Sequence, residues 1–106
     1  MRAIVAGPDA HGIADALGQR DVDVTRIEGP LNRPALEEAG ATGAALLVLT
    51  DMADATGIPI AKDVNPDIRV VTYAPDDLPD FASRQTDLAV DPALLDAAAV
   101  AEELVQ

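Results

Sequence analysis

Hydrophobic residues along this chain fall into five short runs, separated by stretches in which apolar residues recur three and four apart. The runs are Ala3–Ala6, Val22–Ile27, Ala44–Thr50, Ile68–Tyr73 and Asp87–Val90. Runs of this length, rich in Val, Leu and Ile and bounded by turn residues, read as strands. Between the first two, His11–Gln19 places Ile13, Ala14, Ala16 and Leu17 at helical spacing. A second helix is expected over Arg33–Ala39, with Asn32 as cap, Pro34 in the first turn and Gly40 past the end. A third is expected over Ala53–Val64, where Pro59 either kinks the helix or marks its true first turn, and Asn65-Pro66 stops it. Asp77 can cap a fourth helix running to Arg84. Asp91-Pro92 opens a last helix, from which Leu94, Leu95, Val100 and Leu104 are expected to pack on the sheet.

Strands alternating with helices call for right-handed crossovers and a parallel sheet covered on both faces. The expected fold is α/β: a single three-layer Rossmann-like domain over residues 1–106, with a five-stranded parallel sheet in the flavodoxin-like order 2-1-3-4-5. Ala44–Thr50, the most apolar run, belongs at the centre. Tyr73 and Phe81 are the only aromatic residues, so Ala, Val, Leu and Ile must fill the core. No repeat, linker or low-complexity tract interrupts the pattern.

Charge narrows the function classes. Nineteen acidic residues against seven basic ones give a formal net charge of -12 and a pI near 4.1. The acids are scattered rather than clustered, and Lys62 is the only lysine. In dilute buffer such a surface repels itself, whereas about 1 M salt shortens the Debye length to about 3 Å and relieves the repulsion. The composition therefore reads as halophilic. It also disfavours nucleic acid, which needs a basic stripe. With no cysteine, thiolate catalysis and thiolate metal sites are excluded. No apolar stretch approaches the roughly 20 residues of a membrane span, and no leader is apparent. A cytoplasmic protein is expected.

In a sheet of this order, ligands bind outside the carboxyl ends of the strands, where strands 1 and 3 part. The chain places Gly7, Asp9 and Gly12 there after strand 1, Glu28 after strand 2, Thr50 and Asp51 after strand 3, and Asp76 after strand 4. Gly7-Pro8-Asp9-Ala10-His11-Gly12 is a G-x-G-x-x-G loop with Asp9 in the middle position. Glu28 stands where a ribose-binding carboxylate belongs. Two readings stay open: a nucleotide cradle, or a tight turn at Gly7 with Asp9 capping the first helix. Asp9, Asp51 and Asp76 could together hold Mg²⁺, but helix and turn caps explain Asp at such places as well. Asp9-Ala10-His11 partly resembles the D-x-H-x-x-G signature of cobalamin-binding domains, although its glycine position holds Ala14. Phosphoacceptor receivers share this sheet order and use an aspartate after strand 3 with a lysine after strand 5. Asp91-Pro92 occupies the lysine position, so that chemistry is set aside. Lys62 is expected to be a surface ion-pair partner.

From Leu36 onward the chain resembles the nucleotide-binding N-terminal domain of potassium-uptake regulators, the TrkA-N or RCK type. The stretches concerned are Leu36–Gly40, Ala44–Asp51, Ala61–Pro66 and Asp87–Pro92. That resemblance implies a non-catalytic regulatory module binding NAD(H), ATP or a related adenine nucleotide, with a homodimer as its assembly. By position it implies Gly7 and Gly12 at the phosphates, with Asp9 between them in place of the family's middle glycine, Glu28 at the ribose, and Thr50 and Asp51 beside the nucleoside, with no catalytic or metal-ligating residue. The chain is also similar to small haloarchaeal proteins of unassigned function, some labelled CTP synthetase. That chemistry needs a synthetase domain and a cysteine-based amidotransferase, which this chain lacks. Two alternatives accompany the regulatory reading: a ligand-free dimerisation or interaction protein, and a small Mg²⁺-dependent enzyme acting at the acidic edge.

Overall fold

The computed structural model describes residues 1–106. Five strands, β1 (Arg2–Ala6), β2 (Asp23–Ile27), β3 (Leu46–Leu49), β4 (Arg69–Tyr73) and β5 (Leu88–Val90), form one parallel sheet in the order β2-β1-β3-β4-β5. This is the expected α/β architecture and strand order. The register sets Val5 beside Arg26 and Val48, Val48 beside Val71, and Val71 beside Leu88. The helices are α1 (Ile13–Gly18), α2 (Arg33–Glu38), α3 (Gly57–Val64), α4 (Asp80–Ser83) and α5 (Ala97–Leu104), with 3₁₀ turns at Ala41–Gly43 and Met52–Asp54.

All four residues of β3 are buried, because helices cover both faces of the sheet. Ile4, Ala6, Leu47, Leu49 and Val70 pack against Leu36 of α2, Ile58 and Ala61 of α3 and Ala82 of α4. On the other face, Val5, Leu46, Val48, Val71 and Tyr73 meet Ile13 and Leu17 of α1 and Val100, Ala101 and Leu104 of α5. Two-sided burial is what removes the polar alternation from the central runs.

Three local expectations are corrected. The helix expected over Ala53–Val64 is divided: the Asp51 carboxylate accepts from the Ala53 N–H at 2.9 Å and closes the 3₁₀ turn, and α3 begins only at Gly57. Pro59 is then its third residue, where a missing N–H leaves no intrahelical bond unmade. A Cβ on Gly57 would fall 2.5 Å from Leu31 Cδ2, so the start of α3 packs too closely on that loop for a side chain. Asp77 does not cap α4, whose N-cap is Pro79 and which has no side-chain cap. The last helix starts at Ala97 rather than after Pro92. The Asp91 carboxylate accepts from Ala93 N–H at 2.9 Å and its carbonyl from Leu94 N–H at 2.9 Å, making a separate turn. Asp96 then caps α5 through Ala99 N–H at 2.9 Å. Leu94 and Leu95 consequently lie outside the core, 79% and 45% exposed.

At the amino end of the sheet, Lys62 Nζ donates to the Ile68 carbonyl at 2.6 Å and to Asp87 Oδ2 at 3.0 Å. The expected ion pair is present, and it also anchors α3 to the approaches of β4 and β5. Asp87 Oδ2 accepts from Val70 N–H at 2.7 Å as well. Burial works against the charged form of Asp87, but the Val70 N–H and the Lys62 hydrogen bond and charge outweigh it and hold its carboxyl below the usual value.

Candidate functional site

The carboxyl edge is organised by the turn after β1. Gly7 has φ +100°, its N–H donates to the Ile27 carbonyl at 3.2 Å, and its carbonyl accepts from Arg26 Nη2 at 2.8 Å. Thr50, the first residue after β3, donates its hydroxyl to the Pro8 carbonyl and lies 3.2 Å from the Ala6 carbonyl. A Cβ on Gly7 would come within 2.6 Å of Thr50 Oγ1 and 3.4 Å of Asp51 Cβ. The turn is thus clamped between β2 and the end of β3.

Asp9 faces α1. Its Oδ1 accepts from Ile13 N–H at 2.7 Å and its Oδ2 from Ala14 N–H at 3.2 Å, while Arg26 Nη1 stands 3.9 Å from Oδ2. Asp9 therefore caps α1 from beyond Gly12, which takes φ +74° as the N-cap residue and offers no side chain of its own. A carboxylate filling the helix start occupies the place where a pyrophosphate would meet those N–H groups. Glu28 is exposed just past β2, in none of the chain's ion pairs or side-chain hydrogen bonds. His11 is exposed and stands edge-on to Tyr73, with ring centroids 5.8 Å apart. Tyr73 is buried and donates its hydroxyl to the Leu95 carbonyl at 2.7 Å. Burial, and then the charge of Asp96, push its phenol above the ordinary value.

Of the expected residues, the structure brings Gly7, Asp9, Thr50 and Asp51 together and leaves Gly12 and Glu28 at the margins. It adds Arg26, whose link to Asp9 and Gly7 exists only because β2 pairs with β1. No spacing in the sequence joins residue 26 to residue 9. Asp54 is a second addition: burial first, then the charge of Asp51, raise its carboxyl, with the Leu31 backbone amide opposing. Asp9 gives both carboxylate oxygens to backbone N–H groups, and Asp51 and Asp91 give one each. The expected Mg²⁺ cluster is not assembled, since no group of three or more such side chains could hold a metal ion. The edge as built is acidic, with its one cation tied to Asp9 and Gly7. No helix is long and apolar enough to cross a membrane.

Solved structures similar to this chain place the fold among signalling and assembly proteins. An orphan response regulator of H. pylori matches with a TM-score of 0.77 at 14% identity, over 99% of this chain and 93% of that one. A protein from Burkholderia thailandensis assigned to pilus assembly (CpaE) matches at 0.71 and 19%, over 99% and 95%. A response regulator from Burkholderia pseudomallei, whose structure holds a phosphorylated aspartic acid, a calcium ion and citrate, matches at 0.62 and 17%, over 99% and 71%. At these identities the likeness is one of fold.

These matches overturn the resemblance to TrkA-N or RCK domains, and with it the TrkA-N-type regulatory nucleotide module. A dinucleotide sheet built of two mononucleotide halves has the order 3-2-1-4-5-6. Here β2 is an edge with no strand outside it. Response regulators, the group set aside for want of a lysine, are the ones whose fold the chain shares. NAD(H) and ATP lose the kinship that implied them. The CTP synthetase label finds no support either: no curated protein matches the sequence. The one sequence assignment that holds is by family model, over residues 3–104, and the chain belongs to the family of unknown function DUF7126.

Proposed function

We propose that this protein is a receiver-like signalling module of the cytoplasm that passes its signal by protein contact rather than through a phosphoryl group. The observation behind this reading is a receiver-type sheet with Asp51 in place after β3 and Asp91 where a phosphoacceptor receiver needs its lysine. A phosphoryl group adds about −1.5 to −2 of charge and demands a nearby cation. Asp51 has another carboxylate close by, Asp54, which burial first and then the Asp51 charge raise, and Arg26 is engaged by Asp9 and the Gly7 carbonyl. Contact surface is available instead. Phe81 of α4, Leu88 of β5 and Leu94 and Leu95 of the following turn are exposed, and β5 is a three-residue edge strand whose outer side is unpaired. The cytoplasmic assignment rests on the cysteine-free, acid-rich composition.

The test is incubation with acetyl phosphate and Mg²⁺ in molar KCl, read by intact mass, alongside recovery of tagged protein from its own cells at the same salt. No phosphoryl adduct is expected, together with a stoichiometric partner, either another protein or a second copy, that is lost in Leu94→Asp. A monomer without any partner overturns the proposal. A second reading, a phosphoryl-accepting module, is favoured by the position of Asp51 and by the phosphorylated aspartic acid in one similar structure. It requires an adduct on the wild-type chain that disappears in Asp51→Asn.

A further inference from the structure

Away from the turn after β1, a pocket of about 190 Å³ opens between the carboxyl ends of β4 and β5. Its lining includes Thr72, Ala74, Pro75, Asp76, Asp77 and Asp91. Thr72 is the one polar residue among the buried residues of the chain, 3% exposed, seated mid-sheet between Leu49 of β3 and Ala89 of β5. Its hydroxyl takes part in none of the protein's hydrogen bonds. No polar side-chain atom sealed from solvent lacks a partner, so this hydroxyl faces the pocket it lines. Val70 and Val71 next to it show that a valine suits this strand. A hydroxyl open to the pocket from a residue otherwise 3% exposed, and without a protein partner, is free to bond a group that enters from outside.

The rest of the pocket defines that partner. Ala74, Pro75 and Ala89 give apolar walls. Asp76, Asp77 and Asp91 set three carboxylates at the rim, and none of them joins any of the four ion pairs. Asp91 gives one oxygen to Ala93 N–H and keeps the other free. A metal ion does not suit this place: the acids form no group able to hold one, and the space equals about six waters at roughly 30 Å³ each. An alkylammonium does, since its methylenes match the walls and its three N–H donors match a hydroxyl and carboxylates. We infer that this pocket binds a primary alkylammonium group, with Thr72 and Asp91 as its principal partners. The group comes either from a free amine or from a lysine side chain of a partner.

Titration at constant KCl, followed by amide ¹H–¹⁵N shifts, decides the matter, with 1,4-diaminobutane and Nα-acetyl-lysine N-methylamide as the two probes. The expected result is a saturating shift confined to residues 72–77 and 88–91. Affinity should fall about five-fold or more in Thr72→Val, return in Thr72→Ser, fall in Asp91→Asn, and stay unchanged in Asp15→Asn, which removes the same charge from α1. Asparagine still accepts the Ala93 N–H, so Asp91→Asn keeps the test decisive if Thr72→Val does not fold. Tighter binding of the blocked lysine points to a protein side chain, and tighter binding of the diamine to a free amine. No shift, shifts spread over the acidic surface and undiminished in the variants, or the same saturating shift with MgCl₂ would each overturn the inference.

Discussion

Gly7 shapes the site through both conformation and space. Its φ of +100° is costly for any residue with a Cβ, and the Thr50 hydroxyl fills the place where that Cβ would go. Gly7→Ala is expected to lower stability by about 1–3 kcal/mol, more than Gly12→Ala, where φ is +74° but no atom lies within 4 Å. Chemical denaturation in molar KCl measures both, and equal losses would show that the Thr50 contact is unimportant. Asp87 gives a second expectation. Its folded carboxyl holds a proton less tightly than the unfolded one, so its stabilisation is complete above the ordinary carboxylate pKa. It is lost as pH falls through the lower folded value. Asp87→Asn should cost about 1 kcal/mol near neutrality, since the side chain is partly exposed and screened. The variant should also lose part of the acid-limb slope of stability against pH. A slope identical to wild type would rule out Asp87 as its source.

Among the elements, α5 shows how a cap overrides a pattern. Leu94 and Leu95 have the spacing of an inward face, yet two aspartates divide the segment: Asp91 closes a turn and Asp96 starts the helix. Only Ala97, Val100, Ala101 and Leu104 reach the core. Asp96→Ala should therefore cost about 1 kcal/mol by loss of the cap. Leu104→Ala should cost about 2–5 kcal/mol, and Leu94→Ala should change stability by no more than about 0.5 kcal/mol. A Leu94 effect as large as that of Leu104 would mean the turn is packed in solution. The same competition divided the expected third helix, where Asp51 closes a 3₁₀ turn ahead of α3.

For the whole molecule, a net charge of -12 on 106 residues makes stability strongly dependent on the salt around it. Like charges spread over a small surface oppose compaction until salt screens them. Melting temperature is expected to rise steeply between low and molar KCl, and MgCl₂ should act no more strongly than its ionic strength dictates, because no acid group is built to hold a metal. Thermal melts in matched KCl and MgCl₂ series check this. A specific gain at low Mg²⁺ concentration would reveal a metal site formed on binding.

The order of apolar runs and turn residues by itself determined the α/β class, the parallel sheet and the strand order, because each run is short, apolar and separated by a helix-spaced segment. Gly7 and the two readings of Asp9 were legible too, since a glycine followed by an aspartate marks a turn and a cap. Tertiary structure made the cap explicit by placing Ile13 and Ala14 N–H against the Asp9 carboxylate. It also decided which acids share an edge and that Arg26 reaches Asp9, and it left the Thr72 hydroxyl facing a pocket. These depend on strand pairing between residues distant in sequence, and local periodicity holds no record of such distances. The sheet order shared with response regulators was legible as well, and only their chemistry was set aside. One missing lysine bears on chemistry at a site, whereas the fold is set by the apolar residues that cover the sheet.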